Sequence, residues 1–118
     1  MRYEIVLTKE AKEDLGRLVA RDRSKVVEAI ETHLRFEPEK TSKSRIKRLE
    51  DYEWPKYRLR VDEVRVFYDV IYTITEEAKS GRVEVLVIRE KSEAMEWLAE
   101  FGKRTPKDEA STTEGNEG

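Results

Sequence analysis

Lys56–Tyr68, KYRLRVDEVRVFY, decides the reading of this chain. The alternation of its side chains predicts two short strands closed by a two-residue turn at Asp62-Glu63. That turn pairs Val61 with Val64, Leu59 with Val66 and Tyr57 with Tyr68, and places those pairs on one side of a sheet. Arg58 and Arg60 then fall on the opposite side, next to Arg65 and Phe67; a one-residue slip would scatter them. Guanidinium groups stay charged and grip phosphate oxygens through paired N–H bonds, so such a face suits a polyanion. The same spacing also permits ordinary surface bridges to Glu63 and Asp69.

Upstream of the hairpin the chain turns basic. Residues 40 to 60 hold eight cations (Lys40, Lys43, Arg45, Lys47, Arg48, Lys56, Arg58 and Arg60) against three acids, Glu50, Asp51 and Glu53. The whole chain, by contrast, is 42% charged with a formal net charge of only -2, so the distribution of charge says more than its sum. Residues 38 to 55 show no period and read as a loop. Tyr52, Trp54 and Tyr57 are interleaved with the basic residues, a pattern that suits stacking on nucleic-acid bases. Tyr57 shares a face with Leu59 and reads as structural; Trp54 fits either base stacking or closure of the core edge.

The flanks supply the rest of the fold. Tyr3, Ile5 and Leu7 alternate as a strand, with Thr8 as a helix cap. Ala11, Leu15, Leu18 and Val19 mark a first helix ending near Arg21. Val27, Ile30 and Leu34 mark a second, capped by Asp22 or Ser24 and closed by Pro38. Glu4, Glu10, Glu13 and Asp14 read as solvated. Past the hairpin, Thr75–Gly81 is a polar connection, and Val83, Val85 and Val87 alternate along a last strand ending at Arg89. Ser92 caps a closing helix bearing Ala94, Met95, Trp97, Leu98 and Phe101. From Lys103 the chain has no large apolar residue, so 103–118 is expected to be a disordered polar tail following a single domain at 1–102. The predicted class is α+β: a small antiparallel sheet of about four strands, two N-terminal helices on one face and a short C-terminal helix.

With 118 residues, no cysteine and one histidine, the chain holds no disulfide, thiolate site or multi-histidine cage. His33 reads as structural or surface-exposed. Glycine-rich phosphate loops, HExxH and GxSxG are absent. No apolar run suggests a signal peptide or membrane span, and a cytoplasmic protein is expected.

The order of strand, helical pair and basic loop, then KRLEDYEWPKYRLRVDEVRVFYDV and VEVLVIREKSE, resembles the RelE/ParE toxins of bacterial type II toxin-antitoxin pairs. The resemblance covers residues 1 to about 101 and is strongest over Leu49–Val70, with Arg89 as a second anchor. It implies a toxin, with the RelE-like branch favoured: a ribosome-dependent endoribonuclease that cuts messenger RNA without metal or other cofactor, through attack of the ribose 2′-hydroxyl. By position it implies Arg58, Arg60, Arg65 and Arg89 as catalytic residues that bind phosphate or stabilise developing charge. Lys43, Arg45, Lys47, Arg48, Lys56 and Trp54 fall to RNA binding.

The implied partners are a cognate antitoxin, the ribosome and messenger RNA, with operator DNA reached only through the antitoxin and no membrane. Two positions depart from the RelE pattern. Arg60 stands where that branch has a lysine able to act as general base, and Glu90–Leu98 lacks its tyrosine. Glu50, Glu53, Glu63 and Glu93 are the candidate proton acceptors. The alternatives are a ParE-like DNA gyrase poison without nuclease activity, and a non-toxic member that binds antitoxin and operator only.

Overall fold

The computed structural model describes residues 1–106. It begins with β1 (Glu4–Leu7), α1 (Lys9–Arg17) and α2 (Ala20–Ala29), which a π-helical turn (Ile30–Leu34) prolongs. Then come β2 (Ile46–Arg48), β3 (Tyr52–Trp54), β4 (Tyr57–Val61), β5 (Val64–Ile74), β6 (Lys79–Glu90), α3 (Lys91–Phe101) and β7 (Lys103–Arg104). Five strands form one sheet in the order β1-β6-β5-β4-β2, and β3 and β7 form a separate ribbon. The main sheet is antiparallel except that β1 runs parallel to β6.

The hairpin takes the predicted register, with Tyr57 opposite Tyr68, Leu59 opposite Val66 and Val61 opposite Val64. Asp62 opens its turn with a left-handed φ of 53°, a conformation Asp tolerates better than most residues. Lys25 of α2 holds the Asp62 carboxylate at 2.9 Å, which fixes the turn against the helical layer.

Two cores lie on opposite faces of the sheet. Leu59, Val61, Val64, Val66 and Tyr68 meet Ala11, Val26, Ile30 and Leu34 on the side of α1 and α2. Phe67, Leu86 and Val87 meet Ala94, Trp97 and Leu98 of α3 on the other, with Tyr52 and Trp54 at the margin. A bulge between Phe67 and Tyr68 in the β5–β6 pairing lets Leu86 and Val87 serve the same core. The strict alternation expected of Val83, Val85 and Val87 therefore fails at Val87, which turns to the α3 side. Arg89, two residues on, follows it.

Several boundaries differ from the sequence reading. The expected loop at 38–55 contains β2 and β3, each of three residues, too short to show a period. α1 stops at Arg17, where Leu18 adopts extended backbone, and α2 starts at Ala20 without a side-chain cap. Neither Asp22 nor Ser24 is therefore its cap. α3 likewise begins after Glu90, without a cap from Ser92. β6 starts at Lys79, inside the expected connection. Lys103–Arg104 pairs with β3, so the ordered chain passes the expected boundary at 102; the remainder of the expected tail, from 107, lies outside the described residues.

Candidate functional site

Strand geometry gathers the hairpin arginines into a patch. Arg58 and Arg60 alternate along β4, about 6.6 Å apart at the usual rise per residue. Arg60 faces Arg65 across β4–β5, and Arg65 faces Arg89 across β5–β6, so three arginines stand in a row across the sheet. A second row runs from Lys47 on β2 to Arg58 and then Phe67. Like charges directly opposite each other destabilise a sheet, and this patch carries three facing cation pairs, Lys47–Arg58, Arg60–Arg65 and Arg65–Arg89.

Compensation is uneven within the patch. Among the described residues, Arg58, Arg60 and Arg65 make no salt bridge. Arg65 is 7% exposed and donates only to backbone carbonyls, Asp62 O at 2.8 Å and Val64 O at 3.2 Å. Burial, followed by the charge of Arg60, lowers its pKa. The Arg58 Nε is buried with no hydrogen-bond partner. Burial, then Arg65 and Arg60, pull the Arg58 pKa down as well. Buried polar groups are normally paired, so an orphaned guanidinium nitrogen among like charges marks a place suited to an anion. The bridges to Glu63 and Asp69 that spacing allowed do not form: the Asp69 Oδ1 accepts the Lys56 backbone N–H at 2.6 Å instead.

Arg89 differs. Its Nε donates to Asp14 Oδ2 at 3.1 Å and its Nη2 bridges Glu10. Burial pulls its pKa down, but Asp14 and Glu10 outweigh that and the net shift is upward. Expected as a phosphate ligand, Arg89 is already neutralised by α1. Asp14, read from sequence as solvated, is 3% exposed and also accepts the Ile88 backbone N–H at 3.1 Å and Arg17 Nη1 at 3.1 Å. β1 ends before this part of β6, and the Asp14 carboxylate caps the open edge in its place. Glu10 is likewise engaged rather than free. A signal for Asp14 existed, since it lies three residues after Ala11 and four before Leu18, on the apolar stripe of α1.

The remaining basic candidates scatter. Lys47 and Lys56 are exposed and adjoin the patch through Arg58 and the start of β4. Arg48 lies over the Tyr57 ring at 5.6 Å and donates to the Leu49 and Lys56 carbonyls. Arg45 accepts the Arg60 N–H through its carbonyl, but its guanidinium lies toward His33, whose pKa is lowered by burial and then by Arg45. Lys43 stays exposed in the loop before β2. Trp54 packs against Trp97 with ring centroids 5.6 Å apart, and Tyr57 stacks on Tyr68 at 5.5 Å. Of the four candidate proton acceptors, Glu63 is the one whose charge reaches Arg65.

No protein-family model matches the sequence, and no curated protein matches it. Solved structures do. A YoeB/ParE toxin from Agrobacterium tumefaciens superposes with a TM-score of 0.55 at 22% identity, over 74% of this chain and 97% of its own. An archaeal RelE–RelB complex from Pyrococcus horikoshii OT3 matches with a TM-score of 0.53 at 23% identity, over 77% of this chain and 97% of the matched chain. The sequence resemblance thus holds at the level of architecture: this chain has the fold of the RelE/ParE-type toxins.

Proposed function

We propose that the protein is the toxin of a type II toxin-antitoxin pair, a metal-independent endoribonuclease that cuts messenger RNA on the ribosome in the cytoplasm and is held in check by a cognate antitoxin. The observation that carries this reading is the uncompensated patch of Arg58, Arg60 and Arg65 with its orphaned buried nitrogen. The three guanidiniums hold the scissile phosphate and stabilise the charge that builds on it as the neighbouring 2′-hydroxyl attacks. Arginine is never deprotonated in a protein, so the proton acceptor lies elsewhere. Glu63, in the hairpin turn beside Arg65, fills that role. Arg89, fixed by Asp14, stiffens the row behind Arg65. The archaeal neighbour, solved as a RelE–RelB complex, supports the antitoxin as partner.

Primer-extension mapping of messenger RNA after induced expression tests the reading. Cuts within translated codons are expected, and loss of those cuts with Arg58→Ala or Arg60→Ala. Intact transcripts alongside growth arrest would remove it. Arginine at all three strand positions favours a second reading, a ParE-like protein that binds DNA gyrase without cutting RNA. DNA damage with intact messenger RNA identifies that case.

A further inference from the structure

A concavity opens on the α3 side of the sheet, at the Lys56 end of the arginine patch. Its volume is about 910 Å³, at the upper end of the ~300–1,000 Å³ of small-ligand clefts. Tyr52 and Trp54 of β3 line it together with Phe101 and Gly102 at the end of α3, and Lys56 and Lys103 stand at its rim. Phe101 is 55% exposed, unusual for a phenylalanine at a helix end. Trp54 and Phe101 both flank Trp97, at 5.6 and 5.8 Å, so the wall is a fixed aromatic array. Gly102 lets the end of α3 lie close against Tyr52, because a Cβ there would lie 2.8 Å from Tyr52 Cε2.

Charge and position identify the occupant. Lys56 and Lys103 make no salt bridge among the described residues, and Glu53 is the sole carboxylate lining the cleft. Lys56, Arg58 and Arg60 occupy alternate positions leading from this cleft into the patch. A single-stranded polyanion laid along those cations passes the aromatic cleft one step beyond the patch. Aromatic rings beside a cationic track are the usual means of holding an unpaired base. A basic peptide is disfavoured by the cationic rim, and a bare anion gains nothing from the aromatic wall.

We infer that this cleft is a nucleobase subsite. It takes one unpaired base of a single-stranded RNA whose backbone lies on the Lys56–Arg58–Arg60 row, with Trp54 and Phe101 against the base, Tyr52 (its ring under the Arg104 guanidinium at 5.0 Å) as a side wall and Lys103 toward its phosphate. The inference rests on reading the arginine patch as an RNA-phosphate site.

Three probes test it on the full chain: a short fluorescent oligoribonucleotide, the same oligonucleotide with its bases removed at successive positions, and inorganic polyphosphate. At one abasic position, binding should weaken about 5- to 160-fold, the range a stacked base contributes. The intact oligonucleotide should quench emission from Trp54, and polyphosphate should bind without quenching. Phe101→Ser and Lys103→Glu both change exposed side chains. Phe101→Ser should erase most of the abasic penalty, and Lys103→Glu should weaken the intact oligonucleotide severalfold. Arg58→Ala should weaken intact and abasic oligonucleotides alike. If every abasic form binds like the intact RNA while Arg58→Ala weakens all of them, the subsite falls and the phosphate patch stands. If no oligonucleotide binds, the subsite also falls, and the cleavage map judges the nuclease reading independently.

Discussion

Arg58→Met is expected to make the protein more stable and less able to bind anions. The Arg58 Nε is buried without a partner among the described residues, and burial, then Arg65 and Arg60, lower the side chain's affinity for a proton. An unpaired buried polar group costs about 1–3 kcal/mol, and each facing like-charge pair adds up to about 1 kcal/mol. Methionine keeps an unbranched stem opposite Phe67 while removing both penalties. A gain of about 1–3 kcal/mol follows, which at ~1–3 kcal/mol per molar urea raises the unfolding midpoint by about 1 M. The assay is urea unfolding of both proteins, with and without inorganic polyphosphate. At a hundred times its dissociation constant a ligand stabilises by about 2.7 kcal/mol, so polyphosphate should bring the wild type level with the variant and leave the variant nearly unmoved. A lower midpoint for Arg58→Met without anion would refute the reasoning. So would equal stabilisation of the two proteins by polyphosphate.

Other substitutions probe the supports of the site. Asp14→Ala strips the acceptor from Ile88 N–H and Arg89 Nε and should destabilise by about 3–5 kcal/mol; a loss under about 1 kcal/mol in urea unfolding would show that the edge cap matters little. Gly102→Ala forces a Cβ to within 2.6 Å of the Leu98 carbonyl oxygen, so a loss of about 1–3 kcal/mol is expected from overpacking, and an unchanged midpoint counts against it. Burial raises the Asp69 pKa, against the opposing pull of the Lys56 N–H and ammonium. The folded chain then holds this proton to higher pH than the unfolded one, so stability falls as pH rises from about 3.9 through the raised value. Asp69→Asn should remove that decline, and pH profiles of the midpoint that stay parallel would contradict it. Glu63→Gln should lower RNA cleavage about 10²- to 10⁴-fold with the fold intact; undiminished cleavage would rule Glu63 out as the proton acceptor.

The hairpin was legible because its two faces differ so sharply. Valine, leucine and tyrosine alternate with arginine on both sides of a turn that one residue type tolerates, and only one register keeps them apart. β2 was hidden because Ile46 is its sole buried anchor among cations, and three residues cannot display a period. The bulge in β6 left no trace, since VEVLVI is apolar enough to serve both faces. The junction of α1 and α2 falls at Leu18 and Val19, which announce neither a helix end nor a start. Within the site, shared facing of Arg58, Arg60 and Arg65 followed from local alternation. Their lack of acidic partners did not, because it depends on where Asp69, Asp14 and Glu10 turn, and each of those is settled by a contact with a distant strand or neighbouring backbone.

One topological detail bears on how the chain is made. Among the described residues, β1 has no sheet neighbour other than β6, and Thr8 reaches Leu86 across 78 residues of sequence. During synthesis at about 5–20 residues per second, the first strand therefore waits some 4–16 s for its partner to emerge. The arginine hairpin, a local structure, can close well before that. Its backing by β6, which Asp14 then grips, and by α3 arrives only when nearly the whole domain has been made. A truncated product ending before Lys79 lacks both the partner of β1 and the strand that stiffens the arginine row. Completion of the arginine face is thus tied to completion of the domain.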